Sequence, residues 1–279
     1  MKLLFLILLL PVVLLSCKKE ENPPSPKLTY NLLKVGSAWF YKRQVILREY
    51  LSETSNIVIF SDSSNTDIAV SVEKDTLFND TLKVKVVSIK ETSDYDPITQ
   101  YNYTTIQYKS IDSIGIKTIA YLNPTRSDIS TKQSKFIASK HGILVNELMC
   151  MDLQSDEKII ILPKPILDLK FPIEENSSWI AQFPVETNPL QINKKVIGVE
   201  KLKGAFFNPC FKISWEYLND PDFDGASVIE WISLYGPMKR QEIYKNVKLV
   251  NVYGDPVDGI FQIEVNWTID SMYAPFSIY

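Results

Sequence analysis

The chain has 279 residues, with 33 acidic and 30 basic side chains and a net charge of −3. That balance, with no basic cluster interleaved with aromatics, argues against a nucleic-acid-binding surface. The 14 Tyr and 13 Phe against 9 Gly suit β-strands and argue against a disordered coat.

Lys2 opens an apolar run from Leu3 to Leu15. The run is too short for the roughly 20 residues of a membrane-spanning helix, but it fits the apolar core of a secretory signal, about 7–15 residues long. Residues 1–16 therefore read as a signal peptide. Leu14-Leu15-Ser16-Cys17 resembles the lipobox of bacterial lipoproteins, which implies a diacylglyceryl group on the Cys17 thiol, cleavage before it, and acylation (palmitate or similar) of the new amino terminus. Two or more acyl chains anchor far more firmly than one, so the membrane partner would be held without being crossed. Lys19-Glu20-Glu21 resembles the surface-export signal of Bacteroidota lipoproteins. That implies a lipid anchor in the outer membrane, on the cell surface in preference to the periplasmic face. Asn22-Pro23-Pro24-Ser25-Pro26 reads as an extended spacer, so residues 17–29 form a lipidated tether and 30–279 a β domain.

From Trp39 onward the pattern alternates with period 2. Strands are expected from Trp39, over 56–60, 67–72 and 82–89, where Leu82, Val84 and Val86 alternate with Lys83 and Lys85. More follow over 100–110, 114–122, 158–162, 178–185, 190–202, 210–218, 227–234, 238–249 and 259–269. The segment 131–150 reads as strands broken at His141-Gly142. No window carries a long capped amphipathic helix. The fold class is all-β and mainly antiparallel: a curved sheet or half-barrel of two related halves, with few short helices.

The halves show in a short repeat. Leu33-Lys34-Val35-Gly36-Ser37-Ala38-Trp39 aligns with Ile173-Glu174-Glu175-Asn176-Ser177-Ser178-Trp179. Gly36 and Asn176 are the residue types best suited to a positive φ in a tight turn. Phe171-Pro172, after the Pro-rich 162–165, is the candidate boundary between the halves, which could run 30–163 and 164–279.

Leu32 to Tyr41 resembles the P-L-K-V-G-N-x-W-x-Y opening of an uncharacterised family of Bacteroidota outer-membrane lipoproteins. Gly204 to Ile213 resembles the same family's G-T-F-x-x-C-x-K-I strand, and Glu230 to Arg240 its W-Y-x-x-G-V-G-x-V-K hairpin. The chain departs from these motifs at Pro209 and at Tyr235-Gly236-Pro237. The motifs also resemble half-barrel periplasmic proteins of the lipoprotein-carrier (LolA-like) type. The resemblance implies a curved sheet with an apolar face and supplies no catalytic residues.

Catalytic signatures are few. His141 is the only histidine, and it sits in a Lys-His-Gly turn without a G-x-S-x-G motif. Paired carboxylates for glycan hydrolysis depend on the fold rather than on chain spacing. Beyond Cys17, Cys150 and Cys210 allow one disulfide or two buried thiols. Asp220, Asp222 and Asp224, followed by Gly225, form a D-x-D-x-D-G run whose carboxylates could wrap Ca²⁺. The twelfth position of an EF-hand loop would fall on Trp231 instead of the required Glu, so a simpler Ca²⁺ loop or an acidic hairpin turn remain the alternatives, and no other cofactor is indicated. Thr76 and Thr81, each preceded by Asp and followed by Leu, resemble Bacteroidota O-glycosylation sites.

The leading expectation is a non-enzymatic, membrane-anchored lipoprotein whose curved sheet binds a lipid, another apolar ligand or an envelope protein. A surface interaction module with a filled core is the alternative, and an envelope glycan hydrolase trails both.

Overall fold

A computed structural model of the chain describes residues 33–93, 101–122, 159–186, 189–202, 209–219, 225–250 and 256–273. Cys17, His141, Cys150, Asp220, Asp222 and Asp224 lie outside the described residues.

The described chain is almost entirely antiparallel β. The first six strands are β1 (Ala38–Tyr50), β2 (Val58–Phe78), β3 (Leu82–Ser93), β4 (Tyr101–Ile111), β5 (Gly115–Leu122) and β6 (Ile159–Lys170). The second six are β7 (Ser178–Gln182), β8 (Gln191–Glu200), β9 (Cys210–Leu218), β10 (Ser227–Ser233), β11 (Gly236–Val250) and β12 (Pro256–Tyr273). All twelve belong to one sheet, ordered β6-β5-β4-β3-β2-β1-β12-β11-β10-β9-β8-β7. Each half is thus a six-stranded meander. The halves join through the ladder of β1 with β12, and the sheet curls into a nearly closed barrel with β6 and β7 as its edges.

The repeated turn occurs twice with the same hydrogen bonds. Gly36 (φ 85°) donates its N–H to the Val72 carbonyl at 2.9 Å, and Asn176 (φ 64°) to the Val196 carbonyl at 3.2 Å. Ser37 N–H reaches the Lys34 carbonyl as Ser177 N–H reaches Glu174, and Val72 and Val196 answer with their own N–H groups to the Ser37 and Ser177 carbonyls. The left-handed turn residue is the reason for Gly in one copy and Asn in the other. Trp39 and Trp179 then enter the strands, both buried.

Two strands differ from expectation. Residues 56–60 and 67–72, read as two strands, form a single β2 of 21 residues. The polar stretch Ser61–Thr66 looks like a turn in sequence, yet every residue of it pairs with β1, from Ser61 opposite Arg48 to Thr66 opposite Arg43. Ladder pairing outweighs local turn propensity there. β6 runs through Pro163 and Pro165 to Lys170, well beyond the expected end near residue 162. A proline cannot donate to a ladder but is tolerated on an edge strand, and β6 is an edge. The expected division of the halves at residue 163 falls inside it, while Phe171-Pro172 lies in the β6–β7 connection.

The core is split along the barrel. Leu169, Phe171, Ile173, Leu190, Val196, Phe211 and Ile213 belong to one buried cluster under β5–β10. Trp39, Tyr41, Ile68, Val72 and Val87 form another under β1–β3, and Tyr244, Phe261, Ile263 and Val265 a third.

Candidate functional site: a cavity inside the barrel

Between these clusters lies a cavity of about 270 Å³ to which all twelve strands contribute, at the low end of the roughly 300–1,000 Å³ range of small-molecule pockets. Alternation along the strands explains its lining. On β1, Trp39 and Tyr41 are buried while Phe40 and Lys42 face out. On β8, Ile192, Lys194 and Val196 are buried between less buried neighbours. Most of the wall is apolar: Trp39, Tyr41, Ile89, Ile116, Ile192 and Ile232 among others.

Against this wall stands a band of charge. Lys109 donates to Asp168 at 2.7 Å and to the Thr118 hydroxyl at 2.8 Å, and Thr118 donates to Asp168 at 2.6 Å. Lys194, only 4% exposed, donates to Glu230 at 3.0 Å and to the Asp168 carbonyl at 2.9 Å. Its ammonium sits 3.9 Å from the centre of the Trp215 ring, and the Arg240 guanidinium lies 4.5 Å from the same ring. An indole face is a favourable place for a desolvated cation. Arg240 pairs with Glu242 at 2.9 Å, and Arg43 holds Glu91 through both terminal nitrogens at 3.2 and 3.0 Å. Glu242 also accepts the hydroxyl hydrogen of Tyr244.

The phenols are held neutral by the same burial. Desolvation pushes the Tyr41 hydroxyl well above its usual range, and it donates to the Pro237 carbonyl at 2.9 Å. Burial, reinforced by the Glu242 charge, does the same to Tyr244.

The β6–β7 edge departs from the repeat. By the order of strands in each half it corresponds to the β12–β1 ladder, yet among the described residues no backbone ladder joins β6 to β7. Side chains bridge the gap: Trp179 Nε1 donates to the Leu167 carbonyl at 3.0 Å, and Lys164 Nζ to the Pro184 carbonyl at 3.4 Å. Ile166, Asp168, Ala181 and Gln182 of this seam all line the cavity.

The residues singled out from sequence lie elsewhere. Thr76 is half-buried on β2 opposite Val84. Thr81 is exposed in the three-residue connection between Phe78 and Leu82, next to Asn79 and Asp80, which both have positive φ (49° and 59°). Cys210 is buried with Trp231 and Met238, on the strand face opposite Phe211 and Ile213. Tyr235-Gly236-Pro237, where the chain departs from the family hairpin, packs on Trp39. A Cβ on Gly236 (φ 115°) would lie 2.7 Å from Trp39 Nε1, which itself donates to the Tyr235 carbonyl at 2.6 Å.

Sequence reasoning missed the charged band. One signal was present: Lys194 falls two residues from both Ile192 and Val196, so strand alternation puts it inward with them. Among the described residues, no group of three His, Cys, Asp or Glu side chains is placed to hold a metal ion. No protein-family model matches the chain, and no curated protein matches it.

Proposed function

We propose that the chain is a non-enzymatic lipoprotein, anchored through Cys17 in the outer membrane with its barrel on the cell surface, that holds an apolar ligand inside that barrel. The observation that carries the binding role is the cavity: a space of about 270 Å³ inside the sheet, walled by Trp, Tyr and Ile side chains. Leaving such a surface bare to water forfeits about 25 cal/mol for each Å² of apolar area a ligand could cover. The Leu14-Leu15-Ser16-Cys17 motif supports the anchor, and the Lys19-Glu20-Glu21 that follows it supports the address.

Residues 17–279 carrying Cys17→Ser, expressed with export to the periplasm and extracted with organic solvent, should release an apolar compound detectable by mass spectrometry. The same preparation should enhance the fluorescence of N-phenylnaphthylamine. No co-purifying compound together with no probe binding would reject the binding role. Loss of labelled palmitate from the full chain on Cys17→Ser tests the anchor separately.

A second reading, docking to an envelope partner, is favoured by one surface feature. Leu51, Ile57, Val58, Ile59 and Phe60 are all exposed at the tip of the β1–β2 hairpin, and contiguous exposed apolar surface of this kind marks interaction sites.

A further inference from the structure

One end of the barrel carries an arc of exposed apolar side chains. The antiparallel meander puts the start of β1, the β2–β3, β4–β5, β6–β7, β8–β9 and β10–β11 connections and the end of β12 at that end. Val35 lies just before β1, Leu77 and Leu82 flank the β2–β3 turn, Ile114 is in the β4–β5 turn, Leu234 in the β10–β11 turn, and Tyr273 closes β12. All six are between 38% and 63% exposed. They belong to the run β5-β4-β3-β2-β1-β12-β11-β10, which is consecutive in the sheet, so they follow one another around the rim. The rest of this rim differs: the β6–β7 connection exposes Glu174 and Glu175, and Lys201 is exposed after β8. Exposed apolar side chains gathered on one surface mark a contact site.

The chain outside the described residues says what covers the arc. Residues 17–32 join the barrel at Leu33, at this same end. Fully extended they reach at most about 55 Å, and the 13 residues of β1 are themselves about 40 Å long. A lipid on Cys17 therefore keeps the arc at high effective concentration beside the bilayer, whereas bringing the opposite end there would spend most of the tether alongside the barrel. The choice of a bilayer rests on the Cys17 anchor proposed above; the arc itself does not. Charges of both signs flank the arc, with Lys117 paired to Asp112 at 2.7 Å and Lys85 paired to Asp75, so apolar burial rather than attraction to anionic lipid carries the contact.

We infer that this arc is a membrane-contacting face, whose six side chains enter the boundary between headgroups and acyl chains, where shallow apolar surfaces and Tyr rings are at home. The acidic β6–β7 side of the rim stays in water, and the apolar tip of the β1–β2 hairpin points away from the membrane.

The test uses residues 17–279 with Cys17→Ser, so that no acyl chain contributes. The protein is made unglycosylated, because a glycan on Thr81 in the same arc would hold that turn off the lipid. Binding is read by sedimentation with sucrose-loaded vesicles of phosphatidylcholine, alone or with one-fifth phosphatidylglycerol. Half of the protein should pellet by roughly 1 mM lipid, weaker than the roughly 0.1 mM at which a single myristoyl chain binds. Raising salt from about 0.1 M to about 0.5 M should change this by less than about twofold, since salt screens only the electrostatic share. Leu77→Ser, Leu82→Ser and Ile114→Ser together should weaken binding at least about tenfold. The matched set Ile57→Ser, Ile59→Ser and Phe60→Ser at the other end should weaken it less than about twofold. Ser113→Trp, in the exposed β4–β5 turn, should tighten it about threefold. Circular dichroism and urea midpoints confirm that the variants fold.

No pelleting at about 5 mM lipid would overturn the inference. So would binding that needs phosphatidylglycerol and vanishes with salt, or binding lost in the hairpin-tip set and kept in the arc set. A parent that stays in solution as a dimer, with the arc set monomeric, would overturn it too and assign the arc to a second copy. These results leave the anchor standing, because palmitate labelling tests it separately. A chain that takes no palmitate label but binds vesicles through the arc would reject the anchor and keep the contact face.

Discussion

Trp179 donates its indole N–H to the carbonyl of Leu167 across the one edge of the barrel where the described strands have no ladder. The corresponding junction of β1 with β12 pairs thirteen residues of β1. The difference has a chemical origin. β6 carries Pro163 and Pro165, which have no N–H to offer, and β7 ends at Gln182 just before Phe183-Pro184. Trp179→Phe should lower the unfolding free energy by about 1 kcal/mol, the net worth of one hydrogen bond. It should also raise amide exchange in β6 and β7 ahead of the rest of the sheet. Trp267→Phe, whose N–H has no protein acceptor, should not produce that localised change. Exchange rising evenly across all strands would contradict a seam held by this contact.

Gly236 is the second point of close approach. Ala there would need a φ of 115° and would press its methyl group to 2.7 Å from Trp39 Nε1. Ala at a positive-φ site destabilises by more than the roughly 1 kcal/mol that a conformationally compatible glycine-to-alanine change gains, and the contact adds to it. Gly198→Ala is the comparison, since nothing lies within 4 Å of its Cβ position. The melting temperature should fall clearly further for Gly236→Ala than for Gly198→Ala; equal losses would show that the Trp39 contact gives way freely.

Lys194 and Glu230 test the charged band. Their side chains are 5% and 12% exposed, so removing one partner strands a buried charge, typically at a cost of about 3–5 kcal/mol. Lys194→Met should fall in that range when measured by urea denaturation. The double variant Lys194→Met with Glu230→Leu should recover most of the loss, because replacing both members with apolar groups is often near neutral. A double variant as unstable as the single one would mean that the cation's place on Trp215 and its bond to the Asp168 carbonyl matter more than the pair.

These residues also mark where sequence reasoning stops. The meander and the duplicated turn were legible because they depend on local chemistry: alternation along each strand, and a left-handed residue before each Trp. The cavity was not legible, because its ion pairs join positions far apart in the chain. Lys109 and Asp168 are 59 residues apart, and Lys194 and Glu230 are 36 apart. A charged residue in a strand is ordinarily placed outward, and only its partner's position shows that it can turn inward. β2 was divided for a related reason. Its Ser- and Asp-rich middle has turn composition, and only the facing residues of β1 show that it stays extended.

Cys210 should be chemically silent. It is 1% exposed, and burial, with Glu200 adding to it, pushes its thiol up to about 11. The thiolate is the reactive form. In a chain with Cys17 and Cys150 replaced by Ser, iodoacetamide at pH 8 should label Cys210 only as fast as the protein opens, and denaturant should make labelling complete. Rapid labelling of the native protein would mean that the Cys210–Trp231–Met238 cluster opens far more often than its burial suggests.

Glu264 sets part of the acid limit. Burial alone would raise its pKa, but Arg48 Nη1 at 2.7 Å, Asn266 Nδ2 at 2.9 Å and Gln241 Nε2 at 3.2 Å donate to the carboxylate and carry it below the ordinary 4.5. With the folded value below the unfolded one, the unfolded chain binds the proton more readily. The carboxylate therefore stabilises the fold fully above about pH 4.5, and the contribution is lost as pH falls through the folded pKa. Glu264→Gln removes the charge and keeps the shape. The variant should be less stable than the parent at pH 7, and the gap should close as pH is lowered towards 3. Urea midpoints at pH 7, 5 and 3 read this directly. A gap independent of pH would assign the loss to altered hydrogen bonding in the amide, leaving the Arg48–Glu264 charge pair without a role in acid stability.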